Sequence, residues 1–219
     1  MITECVSLII HCTCCVTVVK CKNVANIGFI VDSSGSLRRD YNKEKEFVKE
    51  LAKSFEISEA GSRAGVITFS YNAELSIAMN EHKKVEDFNK AVDSIPLMGY
   101  TTRIDKALAL AKKSLMAGAR DDAPRIVFLL TDGTQTKDAD AVDPSKLAEE
   151  LRGEGIKLVV IGIGKGVNKM ELEKIAGGLE SSLFLAGDFD ELQSSAFVQD
   201  IARQGCKKGK QACISHHNR

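Results

Sequence analysis

Apolar residues in this chain follow two rhythms. Near-continuous runs occupy 27–31 (IGFIV), 64–70 (AGVITFS), 125–131 (RIVFLLT) and 156–163 (IKLVVIGI). Such runs predict strands buried on both faces. Between them the apolar positions recur at helical spacing. Phe47, Val48, Leu51, Ala52 and Phe55 form one stripe within 41–55. The same rhythm predicts helices over 85–95, 104–117, 144–152, 170–176 and 188–203. Residues 74–78 pair with 64–70 as a hairpin across Tyr71-Asn72, and 183–186 is a short last strand.

The punctuation agrees. Pro96-Leu-Met-Gly99 breaks one helix, Pro124 precedes the run RIVFLLT, and Asp143-Pro144 reads as an N-cap followed by a first-turn proline. Strands alternating with amphipathic helices imply an α/β fold. The expected form is a doubly wound, mostly parallel, Rossmann-like sheet with one antiparallel edge strand and helices on both faces. Ligands of such sheets bind beyond the carboxyl ends of the strands. Attention therefore falls on the loops after Val31, Ile95 and Leu130.

Composition narrows the function. The chain has 219 residues, 44% of them hydrophobic, and its 30 basic side chains balance 30 acidic ones. This excludes a disordered chain. A zero net charge also argues against a general nucleic-acid binder, which needs a basic field. Lys207, Lys208, Lys210 and Arg219 sit in a tail without acids, so the remainder is mildly acidic.

The cysteines flank the body. Cys5, Cys12, Cys14, Cys15 and Cys21 precede it, and Cys206 and Cys213 follow it. That placement suggests a staple across the domain ends in an oxidising compartment, with Cys21–Cys206 as the candidate pair. Residues 5–19 form an apolar run too short for a membrane span, and no other stretch is long enough for one. The run has the length of a signal-peptide core, but Glu4 precedes it and no basic residue does. It reads as a secretory signal, a truncated start or a structural segment. The resulting organisation is a Cys-rich leader over 1–21, a body over 22–205 and a basic Cys/His tail over 206–219.

The chemistry lies in the loops. Asp32-Ser33-Ser34-Gly35-Ser36 follows the first strand, Thr101-Thr102 follows Gly99, and Thr131-Asp132-Gly133 ends the run RIVFLLT. They offer carboxylates and hydroxyls but no sulfur or imidazole. Oxygen donors of this kind suit a hard divalent cation, Mg²⁺ first, with Mn²⁺ or Ca²⁺ as alternatives. Each residue also has a plainer use. Asp32 and Ser34 could cap a helix, Thr101-Thr102 could cap the helix from 104, and Thr131-Asp132-Gly133 is ordinary turn composition.

Asp32-x-Ser34-x-Ser36, then Gly-Tyr-Thr101-Thr-Arg-Ile-Asp, then Leu-Leu-Thr-Asp132-Gly resembles the von Willebrand factor A domain family over about residues 25–204. The resemblance implies a metal-ion-dependent adhesion site. Ser34, Ser36 and Thr101 would offer hydroxyl oxygens to the metal, and Asp32 and Asp132 would bind it directly or through water. A carboxylate on an extracellular matrix or cell-surface partner, collagen-like among others, would complete the octahedron. Arg103 stands where the family often has a second hydroxyl. It either alters the loop's support or places a cation beside the site. Asp105 matches a frequent family carboxylate and could cap the helix that follows. The flanking cysteines favour the secreted, extracellular branch over the intracellular one.

Other functions fit less well. A haloacid-dehalogenase-like phosphatase would use Asp32, Thr131 and Asp188 or Asp190, but needs a second aspartate where Ser34 stands. Gly162-Ile-Gly164-Lys-Gly166 has the wrong spacing for a dinucleotide loop. His11, His82, His216 and His217 suggest neither a catalytic triad nor a zinc set. The expectation is a non-enzymatic binding module, with a metal-free scaffold as the alternative.

Overall fold

A computed structural model describes Lys20, Cys21 and residues 24–206. The expectations for the apolar leader, with Cys5, Cys12, Cys14 and Cys15, and for the basic tail beyond Cys206 lie outside the described residues.

Chain order runs β1 (Asn26–Asp32), α1 (Tyr41–Lys53), β2 (Arg63–Phe69), β3 (Ala73–Ile77), α2 (Val85–Asp93) and α3 (Ile104–Leu110). It continues through β4 (Arg125–Thr131), α4 (Pro144–Gly153), β5 (Ile156–Ile163), α5 (Lys169–Ile175), β6 (Leu183–Ala186), α6 (Phe189–Leu192) and α7 (Ser195–Cys206). The strands form one sheet in the order β3-β2-β1-β4-β5-β6. Only β2 and β3 pair antiparallel, which places the hairpin at one edge as expected. β1 pairs in parallel with both β2 and β4. The winding reverses between β1 and β4, and the loops after these two strands flank that switch point.

All seven residues of β1 are buried. Their alternation divides the core. Ile27, Phe29 and Val31 face the layer of α1, α2, α6 and α7, where Phe47, Leu51, Phe88 and Ile201 meet them. Ile30 faces α3, α4 and α5, together with Val127 and Leu129 of β4. At Gly28 the packing is so close that a Cβ would lie 2.5 Å from Leu115 Cδ2.

Two helices differ from the reading of the sequence. The helix expected over 104–117 is α-helical only to Leu110 and continues as a π turn over Ala111–Leu115. The closing helix expected over 188–203 is split. Asp188 caps the short α6 by accepting from the amides of Asp190 and Glu191. Ser194 then accepts from the Phe197 amide at 3.3 Å and starts α7. A serine hydroxyl that competes for a backbone amide favours a new N-terminus over a continued helix.

The ends of the body are tied together. Cys21 and Cys206 form a disulfide with Cα atoms 5.4 Å apart, across 185 positions of sequence. Beside it Gly205 passes under two rings, where a Cβ would come within 2.9 Å of Phe55 and 3.0 Å of Phe128.

Candidate metal centre

Three loops converge over the switch point, and backbone hydrogen bonds hold them together. The Gly35 amide donates to Tyr100 O and the Gly99 amide to Ser33 O, each at 2.8 Å. The Met98 amide donates to the Ser33 hydroxyl at 2.8 Å. Gly99 makes this approach possible with a left-handed φ of 86°. The middle and last loops are joined by the Thr136 amide donating to Thr102 O at 2.7 Å. In return the Thr102 amide donates to the Thr136 hydroxyl at 3.1 Å.

The expected side chains form a chain of short contacts. Asp32 accepts from the Ser34 amide at 2.9 Å and from the Thr131 hydroxyl at 2.7 Å. The Ser34 and Ser36 hydroxyls are 3.1 Å apart, and Ser36 donates to Asp132 Oδ1 at 2.9 Å. The plainer capping roles are not taken up. Neither the turn after Ser34 nor α3 has a side-chain N-cap bond.

The two adjacent threonines differ in their surroundings. Thr101 is exposed, and no hydrogen bond ties its hydroxyl to the cluster. Thr102 is turned inward instead. A Cβ built on Gly133 would lie 3.1 Å from Thr102 Oγ1, so this hydroxyl sits beside the Asp132-Gly133 turn. The physical reason is the Thr102–Thr136 backbone pairing, which faces one threonine toward the last loop and leaves its neighbour outside.

Arg103 takes the first of its two expected roles, support of the loop, and Asp105 departs from expectation. Arg103 places no cation beside the cluster. It is only 1% exposed, and its guanidinium forks onto Asp105 at 2.9 and 2.8 Å. It also reaches Asp138 at 3.1 Å and Asp140 at 2.8 Å. Asp105 is no cap; it lies in the first turn of α3 and accepts from the Val142 amide and from Gln135 Nε2. Burial alone would raise the Asp105 pKa, but Arg103 and these donors outweigh it and hold it at about 2. The pair braces the loops that carry Thr102 and Asp132.

Electrostatics favour a cation in the cluster. Asp32 is fully buried, and burial pushes its pKa to about 6 against the pull of its Thr131 and Ser34 hydrogen bonds. Burial likewise raises Asp132, opposed by its bond from Ser36. The periodicity of α1 hid a third acid. Tyr41, Glu44, Val48 and Leu51 share its buried face, and Glu44 is completely enclosed. Neither Glu44 oxygen has a hydrogen-bond partner. Burial drives its pKa well up, and the nearby Asp32 and Asp132 charges push it the same way. Helical spacing places Glu44 on the face of Tyr41 and Val48, but only the fold shows that no partner meets it there.

These residues fit a hard divalent ion. The donors are hydroxyl and carboxylate oxygens, and the buried acids have no cation among the groups that shift them. Among the described residues, no three His, Cys, Asp or Glu side chains converge as a cation cage. Any ion held here must therefore lean on the serine and threonine hydroxyls. The phosphatase alternative finds no support, because Asp188 is spent on capping α6 and Asp190 is an exposed partner of Lys43.

The sequence profile of the von Willebrand factor type A domain matches residues 26–198. The chain belongs to the von Willebrand factor type A domain family. The mouse (Mus musculus) collagen alpha-4(VI) chain is 31% identical over 197 residues, which is 87% of this chain and 8% of that protein. The human (Homo sapiens) collagen alpha-5(VI) chain is 32% identical over 193 residues, covering 85% of this chain and 7% of that protein. This A domain therefore spans less than a tenth of those relatives. In three dimensions it is similar to proximal thread matrix protein 1 from the mussel byssus, with a TM-score of 0.78 and 31% identity over 85% of this chain and 49% of that one. A second structure of that mussel protein, described as having a zinc-occupied MIDAS motif, gives a TM-score of 0.77 at 28% identity, covering 86% of this chain and 47% of that one. The relatives are extracellular matrix proteins, and the A domain falls in that branch. Among the described residues no helix is long and apolar enough to cross a membrane.

Proposed function

We propose that this A domain is a non-enzymatic adhesion module of the extracellular matrix that binds through a divalent cation. Asp32, Ser34, Ser36, Thr102 and Asp132 hold the ion, with Mg²⁺ the first choice and Mn²⁺ or Ca²⁺ its alternatives. The observation that carries the reading is the unbroken contact series Thr131–Asp32–Ser34–Ser36–Asp132 across the switch point.

The bound ion would supply a Lewis-acidic position facing solvent. Ser34 and Ser36 offer neutral oxygens, which leave the ion an excess of positive charge. Asp32 and Asp132 keep it in place. That charge is matched by an acidic side chain on a matrix or cell-surface protein, collagen-like chains included. The zinc-occupied site of the mussel relative supports divalent binding on this fold.

The test is Mg²⁺ titration by calorimetry on the full chain, wild type beside Asp132→Ala. Saturable binding in the wild type and none in the variant is expected. Glu-containing peptides should then bind in Mg²⁺ and be released by chelator, while their Gln counterparts should not bind. A wild type that binds no divalent ion, with or without the Glu peptide, would leave only the metal-free scaffold.

A further inference from the structure

Glu44 has no role in the five-residue set, yet it is the most costly side chain near it. A carboxylate that is completely buried with both oxygens unpartnered is rare in native proteins and calls for an explanation. Glu44 projects from the inner face of α1, one turn beyond Tyr41, whose buried hydroxyl is also without a partner. Among the described residues no lysine or arginine is paired with it or acts on its titration. Its charged neighbours are Asp32 and Asp132, both already acidic. A purely structural residue at this place would be apolar, as Phe47, Val48 and Leu51 are on the same buried side of the helix.

We infer that Glu44 is a third, non-coordinating carboxylate of the metal centre, a positioning residue that stabilises the bound cation from within the domain. This rests on the divalent-cation reading above. Asp32, Asp132 and Glu44 together present three acidic groups with no compensating cation, and a divalent ion between the loops is the charge that suits them. Among the described residues Asp32, Asp132 and Glu44 do not converge as a three-acid cage, so the part assigned to Glu44 is electrostatic. Its effect travels through space, where a low local dielectric makes it strong. Two consequences follow. The ion is retained without a partner's carboxylate, because the domain supplies a third negative charge of its own. The metal-free fold carries the burden of a buried carboxyl group with neither oxygen paired.

The experiment compares wild type, Glu44→Gln, Glu44→Met and Asp132→Ala as full chains, using Mg²⁺ alone as the probe. Methionine matches the length and flexibility of glutamate without its charge. Calorimetry should show Mg²⁺ affinity lowered about tenfold or more in both Glu44 variants, as loss of one nearby charge at low dielectric requires. Thermal melts in chelator should show Glu44→Met melting above the wild type, and its gain on adding Mg²⁺ should be smaller. Unchanged Mg²⁺ affinity in both Glu44 variants, with binding lost in Asp132→Ala, would overturn the role of Glu44 and leave the metal site standing. A metal-free Glu44→Met less stable than the wild type would also overturn it, by showing that Glu44 supports the fold. No Mg²⁺ binding in the wild type would overturn both readings.

Discussion

Ser36 donates a hydrogen bond to Asp132 Oδ1 at 2.9 Å, although the two residues lie 96 positions apart. The bond joins the loop after β1 to the loop after β4, the two neighbours at which the sheet reverses its winding. Asp132 is half-buried and makes this one side-chain bond within the cluster. Asp132→Ala should therefore cost about 1 kcal/mol or less in the metal-free protein, the worth of a single hydrogen bond. Denaturant unfolding in chelator measures that cost. A small cost beside complete loss of Mg²⁺ binding marks Asp132 as a residue of the site rather than of the fold.

The two adjacent threonines should separate cleanly. Thr102→Ala removes the hydroxyl beside Gly133 and should abolish or sharply weaken Mg²⁺ binding. Thr101→Ala alters an exposed side chain and should leave the affinity within about twofold, since surface changes of this kind are nearly neutral. Parallel titrations decide between them. The opposite result would restore Thr101 to the set.

Stability in the absence of metal should rise as the pH falls from neutral. The folded Asp32 titrates near pH 6 because it is buried, whereas in the unfolded chain it titrates near pH 4. Folding therefore favours its protonated form, and the ionised form is a burden above pH 6. Between pH 6 and pH 4 the native state holds more protons, so lowering the pH adds stability, of the order of 2–3 kcal/mol at most. Melts in chelator at pH 7.5 and 5.0 should show this gain, and Asp32→Asn should flatten it. Mg²⁺ competes with the proton, so its protection should be largest above pH 6.

Breaking the Arg103–Asp105 brace should be severe. Arg103→Met leaves Asp105 buried and without its partner, a situation that costs about 3–5 kcal/mol. Combining it with Asp105→Asn should recover part of that loss. Thermal or urea unfolding of the single and double variants tests this coupling. An additive outcome would mean that the fork contributes nothing as a pair.

Reduction of Cys21–Cys206, or the double change to serine, should lower stability without altering the Mg²⁺ affinity. The crosslink closes nearly the whole domain, and the entropic account assigns such a loop roughly 4–5 kcal/mol as an upper value. Urea unfolding with and without reductant measures it.

The sequence by itself determined the strands and helices, their α/β class and the antiparallel hairpin edge. Buried strands on both faces leave unbroken apolar runs such as RIVFLL, and helices leave a periodic stripe, so both are written in local order. It also brought together most of the side chains proposed to hold the ion, because Asp32, Ser34 and Ser36 lie within five consecutive residues at the end of β1. The cysteines flanking a cysteine-free body suggested a staple across its ends, and the structure joins Cys21 to Cys206. Tertiary structure alone decided which threonine faces Asp132. That choice follows from the Thr102–Thr136 pairing, a contact between residues 34 positions apart. It decided that Arg103 turns inward, since the acids at 138 and 140 are brought to it by a loop whose path no periodicity records. It divided the closing helix at Ser194, where a side-chain cap competes with helix continuation. Above all it set Glu44 beneath the acids of the site. In the sequence Glu44 is one charge among many in YNKEKEFVKE. Only the packing of α1 against the end of β1 removes it from water, and burial is what turns an ordinary glutamate into a source of electrostatic force.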